Sequence, residues 1–285
     1  MKKIIIPTEF TEKSEQTLSG AIMIANKMKL SIEVLHVIDS FDYGVNFVIN
    51  ESNPIILPPD MLDGKRDEAI EAFNEMIGKI KPQFEVLPAI DLIIKTGFVF
   101  DVISESIQNP DAYMVILSDK SQIDYNYRDI SKDNSKIIQE SNCPVCVFPN
   151  GAPFKEPKKI IYATNFQEQD IQNITNLAHL ASCFDAIIHV VHVAENPEFE
   201  EHLKVAGLRK LISDESGYEN IVYNTIKNDN FLEGIDHFAN EINAEMIALM
   251  RENKTIFKAF FASNNAKKMI YKTNLPVIIY QELTD

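Results

Sequence analysis

The chain has 285 residues, of which 45% are hydrophobic and 24% charged, with 13 prolines and 9 glycines. This composition excludes a disordered or collagen-like chain, and the length suggests about two domains rather than one large domain. Because 42 acidic residues outnumber 27 basic ones, the net charge of −15 would repel nucleic acid and anionic membrane surfaces.

The N-terminal segment does not resemble a targeting signal. Its apolar run, Ile4 to Ile6, stops at a proline and an acid, whereas a secretory signal needs about 7–15 apolar residues. No stretch approaches the roughly 18 apolar residues of a membrane-spanning helix, and three cysteines do not make a disulfide framework. We therefore expect a soluble, cytoplasmic protein that contacts neither membrane nor nucleic acid.

The first 150 residues alternate short apolar runs with amphipathic segments. The runs at 4–6 and 32–38 are β-branched, which is typical of strands covered on both faces. Between them lies a helical pattern, for which Thr11 and Ser14 predict the N-terminal cap. The later predicted elements are a helix at about 60–81, a strand at 86–95, a helix at 98–108, a strand at 113–118, a helix at 132–141 and a strand at 145–148. This alternation predicts an α/β sheet with helices on both faces.

The second half of the chain repeats the first. Residues 2–10 recur as 158–166 and residues 34–37 as 190–193, both at an offset of 156. The offset is 132 further on, where residues 114–117 match 246–249 and residues 142–145 match 274–277. Four matches in register indicate a duplication. We predict a first domain at 1–150, a linker at 151–157 and a second domain at 158–285.

The first copy is the longer one, by 24 residues, the difference between the two offsets. The surplus includes residues 40–59, an apolar segment that follows the second strand at the edge where open α/β sheets bind ligands. Loops of this length are often functional. The segment is expected to pack on the crevice of its own domain, with a partner or the second domain as the alternative.

A strand that ends in Pro-Thr-Glu-Phe, a later strand that ends in His-Val, and a final Cys-Pro-Val strand together resemble the universal stress protein family in its tandem form. The resemblance covers nearly the whole chain. It implies two tandem Rossmann-like domains of the adenine nucleotide alpha hydrolase-like type, each with a five-stranded parallel sheet of order 3-2-1-4-5. It further implies that the domains pair through their last strands, and that the protein acts in the stress response.

The same resemblance directs attention to nucleotide binding. Family members that bind ATP carry G-x2-G-x9-G and then Ser or Thr, because glycines let the backbone approach phosphates. The matching positions hold no glycine in either copy; they are Ser118, Ser121, Ser131 and Lys132 in the first and Met250, Asn253, Ser263 and Asn264 in the second. The family's strand-one aspartate is replaced as well, by Glu9 and by Asn165. The other candidate contacts are Pro7, Thr8 and Val37 in the first crevice and Ala163, Thr164 and Val193 in the second. The sequence therefore disfavours bound ATP, and no other cofactor is indicated.

Cysteines and histidines offer weaker candidates. Cys143 and Cys146 have redox or metal spacing, but residues three apart on a strand face opposite ways, so packing is the favoured interpretation. The same argument separates His189 from His192. His36 repeats His192 at the end of a strand, where a packed, hydrogen-bonded histidine is more common than a catalytic one. No metal site and no catalytic residue are predicted.

These observations lead to a ranked set of functions. The first is a non-enzymatic binding or scaffold module of the stress response with degenerate ATP motifs. The alternative is a sensor that binds ATP or AMP in the first crevice. A phosphate-cleaving enzyme on the related nucleotide fold ranks last, because the segment after the first strand is not a Gly/Ser-rich phosphate loop. The sequence leaves open a homodimer and an unidentified protein partner.

Overall fold

A computed structural model describes residues 1–39, 59–118, 136–149, 154–251 and 275–281. The surplus segment at 40–58 and the start of the helix expected at 132–141 lie outside these residues.

The first half contains five strands and four helices in alternation. In chain order they are β1 (Lys3–Thr8), α1 (Glu12–Met28), β2 (Ser31–Asp39), α2 (Pro59–Ile80) with a 3-10 turn at Lys81–Gln83, β3 (Ile90–Gly97), α3 (Val99–Ile107), β4 (Ala112–Ser118), α4 (residues 136–140) and β5 (Val145–Phe148). The prediction placed the start of β3 too early, at residue 86. Pro88 explains the later start, since proline has no N–H to donate to a neighbouring strand, and Val86 is exposed.

Within the residues that the structure describes, the second half repeats this order up to its fourth strand, and its fifth strand is described as well. Its elements are β6 (Lys159–Ala163), α5 (Gln169–Phe184), β7 (Ile187–Ala194), α6 (Phe199–Ser216), β8 (Ile221–Lys227), α7 (Phe231–Ile242), β9 (Met246–Met250) and β10 (Val277–Tyr280). None of the helices in the described ranges is long and apolar enough to cross a membrane.

All ten strands form one sheet in the order β3-β2-β1-β4-β5-β10-β9-β6-β7-β8. Each half therefore has the order 3-2-1-4-5, which confirms the predicted fold class. Strands within each half run parallel. The halves meet where β10 pairs with β5 in antiparallel orientation, with Ile278 opposite Cys146.

The two faces of the sheet carry separate cores. One face packs against α1, α2, α5 and α6, and its buried residues include Leu18, Met76, Leu177 and Leu208, one from each helix in that order. The other face packs against α3, α4 and α7 through Val102, Ile137 and Ile235. The side chains of β1 alternate between these cores, as expected for a parallel strand covered on both sides.

The helix α1 begins at the cap that the sequence predicts. Thr11 and Ser14 exchange backbone-to-side-chain hydrogen bonds in a capping box. Further along, Gly20 lets α1 approach β5 closely, where the ring of Phe148 stacks on Phe154 with centroids 5.0 Å apart. Phe154 belongs to the segment that connects the two halves, so this contact packs the connecting segment against the core of the first half.

Candidate functional site

The candidate site in each half is a crevice at the carboxyl ends of its strands. In the first half β1 lies between β2 and β4, and α1 and α4, the described helices that follow these strands, pack on opposite faces of the sheet. Open α/β sheets bind their ligands at such a switch point. In the second half β6 likewise lies between β7 and β9.

The corner of the first crevice is a short turn after β1. The Thr8 hydroxyl accepts a hydrogen bond from the Phe10 N–H at 3.1 Å, and Phe10 has a positive φ of 55°. The Phe10 ring lies against His36 at 4.8 Å between centroids. His36 Nδ1 lies 3.0 Å from the Thr8 carbonyl oxygen, and since that oxygen only accepts, Nδ1 carries the proton. The turn is thus fixed on both sides.

The second crevice repeats this corner 156 residues later. The Thr164 hydroxyl accepts from the Phe166 N–H at 2.9 Å, and Phe166 has a φ of 60°. Its ring lies 4.4 Å from that of His192, whose Nδ1 donates to the Thr164 carbonyl at 3.1 Å. A left-handed backbone conformation is uncommon for phenylalanine and costs free energy. Because both halves have one at this position, the contacts around each turn must stabilise it.

Beneath the second corner lies a buried polar cluster, whereas the described residues at the equivalent positions of the first half are Ile6 and Ser14. Asp170 is 1% exposed, and its carboxylate accepts from the Tyr162 hydroxyl at 2.7 Å, the Thr164 hydroxyl at 2.6 Å and the Gln167 N–H at 3.0 Å. Burial raises the pKa of Asp170, and the hydrogen bonds that it accepts act against that rise. The Asn173 side chain is buried beside this cluster, next to Tyr162.

The predicted first-crevice residues that the structure describes come together at this edge. Thr8 is buried in the turn, Glu9 is exposed, and Pro7 and Val37 are half-buried at the ends of β1 and β2. Ser118, half-buried, ends β4. The positions Ser121, Ser131 and Lys132 lie outside the described residues.

The second crevice differs from the first at the end of its fourth strand. Met250, in the place of Ser118, is 4% exposed, so a long apolar side chain fills the first glycine position of the motif. Asn165 is exposed, and Ala163 and Val193 join the core on the α7 side. The positions Asn253, Ser263 and Asn264 lie outside the described residues.

The start of α6 borders the second crevice and carries its own negative charge. Glu198 and Glu201 form a capping box there, and hydrogen bonds from the backbone of Glu198 lower the pKa of the Glu201 carboxyl. A helix N-terminus attracts anions through its free N–H groups, but here carboxylates of the chain itself accept from the N–H groups of Glu198 and Glu201.

The remaining candidates have structural positions. Cys143 and Cys146 belong to the cores on opposite faces of the sheet, and burial raises the pKa of both thiols. His189 faces the core beside α7, away from His192. Within the described ranges, His, Cys, Asp and Glu side chains form no group of three that could hold a metal ion.

Sequence reasoning missed Tyr162 and Asp170. Comparing the two copies at the offset of 156 would have shown them, because they replace Ile6 and Ser14. An apolar strand residue and a helix-cap residue both change to larger polar ones, and the two new side chains bond to each other. Such paired changes indicate a buried interaction that one copy alone does not reveal.

Comparison with known proteins places this architecture in a family. The family model described as "Universal stress protein family" matches residues 1–149. A universal stress protein from Archaeoglobus fulgidus is similar in structure with a TM-score of 0.70 at 16% identity, over 98% of this chain and 96% of that one. A universal stress protein from Pseudomonas aeruginosa gives 0.56 at 14% identity, over 99% and 93%.

A protein of a different kind has a similar fold. The cytoplasmic domain of a prokaryotic cation chloride cotransporter gives a TM-score of 0.54 at 9% identity, over 98% of this chain and 94% of that one. At these identities the structural likenesses show the fold alone. No curated protein matches the sequence significantly.

Proposed function

The chain belongs to the universal stress protein family, and on that basis we propose that it is a non-enzymatic binding module of the stress response that does not hold ATP. The observation that carries the proposal is Met250, buried where ATP-binding members of the family have the first glycine of their motif. A side chain at that position excludes the close backbone approach on which phosphate binding there depends.

Charge supports the same conclusion. Carboxylates of Glu198 and Glu201 cap the start of α6, and Glu9 replaces a shorter acid at the end of β1 in the first half. Four negative charges on a triphosphate would meet these acids in a chain whose net charge is already −15. A neutral ligand or a protein surface suits the crevices better than ATP does.

The nucleotide content of the purified protein tests this proposal. The full chain is denatured, and released nucleotides are quantified by ion-exchange chromatography, with ATP hydrolysis measured on a second sample. We expect far less than one nucleotide per chain and hydrolysis equal to a buffer blank. Stoichiometric ATP, or hydrolysis that follows protein concentration, would overturn the proposal.

A nucleotide sensor in the first crevice is the second candidate. It is favoured by Ser118, a small and half-buried side chain in the place of Met250, close to a corner where Phe10 and His36 present their rings. Thermal unfolding with ATP, ADP, AMP and cyclic nucleotides tests it, since a ligand at 100 times its Kd stabilises by about 2.7 kcal/mol. Ser118→Met, which copies the second crevice, should abolish any such shift. No shift with any of these nucleotides would exclude the sensor.

A further inference from the structure

The two crevices share their corner but not what lies beneath it. In the first half the position equivalent to Asp170 is Ser14, which caps α1 together with Thr11. The position equivalent to Tyr162 is Ile6, an apolar core residue. Only in the second half, therefore, does the turn rest on an ionisable group.

Hydrogen bonds connect that group to the crevice without a break. The Asp170 carboxylate accepts from the Thr164 hydroxyl, which in turn accepts from the N–H of Phe166. The carbonyl of Thr164 accepts from His192 Nδ1. A change at the buried carboxylate therefore reaches both members of the Phe166 and His192 ring pair through one residue.

We infer that Asp170 is the positioning residue of the second crevice, and that a proton gained by its carboxyl loosens the turn that holds Phe166 against His192. The physical reason is a count of donors and acceptors. The ionised carboxylate accepts three hydrogen bonds, from Tyr162, Thr164 and the Gln167 N–H. A protonated carboxyl donates one hydrogen bond itself, so the hydroxyl of Tyr162 or Thr164 has to reverse its own hydrogen bond, and the neutral group accepts from its remaining donors more weakly than the charged carboxylate does.

The groups around Asp170 come from several elements. Tyr162 faces it from β6, and the turn supplies Thr164 and the backbone N–H groups of Asn165 and Gln167. From α5 itself comes Asn173, near Tyr162. Beyond this shell, Tyr280 of β10 interacts with Tyr162, and Glu201 of α6 interacts with His192.

Burial makes the carboxyl easier to protonate than an exposed aspartate. Desolvation raises the pKa of Asp170 above its ordinary value of 3.8, and the tyrosine, threonine and backbone donors oppose that rise. The protonation therefore comes closer to neutrality than that of an exposed aspartate. The two crevices of one chain would then respond differently to acid, although they present the same pair of rings.

Histidine NMR on the full chain tests the inference without any ligand. The ring resonances of His36 and His192 are followed from neutral to acidic pH, each assigned by its His→Gln variant. We expect the His192 resonance to show a step at the titration of Asp170. The His36 resonance should show no such step, because Ser14 cannot titrate.

Two variants separate coupling from a merely structural role. Asp170→Asn removes the ionisable group, and Thr164→Val keeps it but cuts the connection to the turn; each should remove the Asp170 step from the His192 resonance. Thr8→Val, the matched change in the first half, should leave that step in place. Should Asp170→Asn fail to fold, Thr164→Val alone decides the matter.

A His192 resonance without the Asp170 step in the unmodified chain, or an Asp170 step that survives in Thr164→Val, would overturn the inference. The inference relies on the proposed function only in treating the second crevice as a binding site. Because the titration needs no ligand, retained ATP would disprove the proposed function and leave the coupling standing, whereas a missing Asp170 step would disprove the coupling and leave the proposed function standing.

Discussion

His189 in β7 occupies the position that Glu33 holds in β2, 156 residues earlier, and each lies beside the lysine that opens the first strand of its half. Lys3 forms an ion pair with Glu33. Lys159 instead faces His189, and burial together with this lysine lowers the pKa of the histidine below its ordinary value of 6.5. The same site is thus a pair of opposite charges in one half and a neutral histidine next to a cation in the other.

This difference predicts a loss of stability in acid. A base with a lowered folded-state pKa contributes stability that is present above pH 6.5 and is lost as the pH falls through the lowered pKa. The free energy of unfolding of the unmodified chain should therefore fall in that window relative to His189→Gln. Urea unfolding of both proteins over a pH series measures this, and parallel curves would contradict the prediction.

Replacing His189 with glutamate, the residue at the equivalent position of the first half, should remove this loss of stability at acidic pH. In His189→Glu the new carboxylate would meet Lys159 as Glu33 meets Lys3, so we expect the acid-side loss of stability attributed to His189 to disappear. Glu33→His is the matched change in the first half and should introduce an acid-side loss there. Equal pH profiles for the two variants would show that the neighbouring lysine does not matter.

Gly20 is expected to tolerate no side chain. A Cβ at this position would lie 2.7 Å from the Cβ of Phe154 and would clash with the ring of Phe148. Gly20→Ala should therefore lower the free energy of unfolding by about 1–3 kcal/mol, the usual cost of overpacking.

Gly78 in α2 provides the control for that change. A Cβ there would meet no atom within 4 Å, so Gly78→Ala should stabilise the helix by up to about 1 kcal/mol. Denaturant unfolding compares the two variants. Equal effects would show that α1 does not depend on its close approach to β5.

Arg251 is predicted to strengthen the junction between the halves. Its guanidinium donates to the carbonyl oxygen of Gln139 at 2.5 Å, at the end of α4 in the other half. A cation there satisfies free carbonyls and complements the helix dipole. Arg251→Gln should cost about 1–3 kcal/mol and speed hydrogen exchange in residues 136–140. Arg209→Gln, which changes only a contact with Tyr223 inside the second half, should leave that exchange unchanged.

Asp170 gives a prediction of the opposite sign to that for His189. An acid with a raised folded-state pKa contributes stability that is fully present below its ordinary value of 3.8 and is lost as the pH rises through the raised pKa. Relative to Asp170→Asn, the unmodified chain should lose free energy of unfolding across that window. Ser14→Asn is the matched control and should show no such pH dependence.

The order of elements could be predicted because both copies carry the same periodic pattern. The runs at Ile4 to Ile6 and at the end of each copy have few alternatives to buried parallel strands, and β5 was placed at its observed bounds. The start of β3 was missed because a favourable apolar run outweighed Pro88. The apolar pattern of the sequence was therefore sufficient to predict the strands that are buried on both faces.

The interactions at the corners could not be predicted in the same way. Thr8 and Thr164 are candidate crevice contacts in the sequence, and in the structure their hydroxyls bond to the turn that contains them. The direction of each hydroxyl depends on the left-handed backbone conformation of the phenylalanine two residues later. The hydrophobic periodicity of the sequence does not predict that conformation for a phenylalanine. The link from Thr164 to Asp170 likewise depends on the packing of a helix start against a strand end.

The antiparallel contact between β5 and β10 has a consequence for how copies of this chain could join. Pairing the two last strands inside one molecule leaves β3 and β8, within the described part of the chain, as the outer strands of the sheet. Strand addition by another copy would thus lengthen the sheet at one of these two outer strands. Charged side chains on those rims, Asp91 and Lys95 on β3 and Lys227 on β8, discourage such growth.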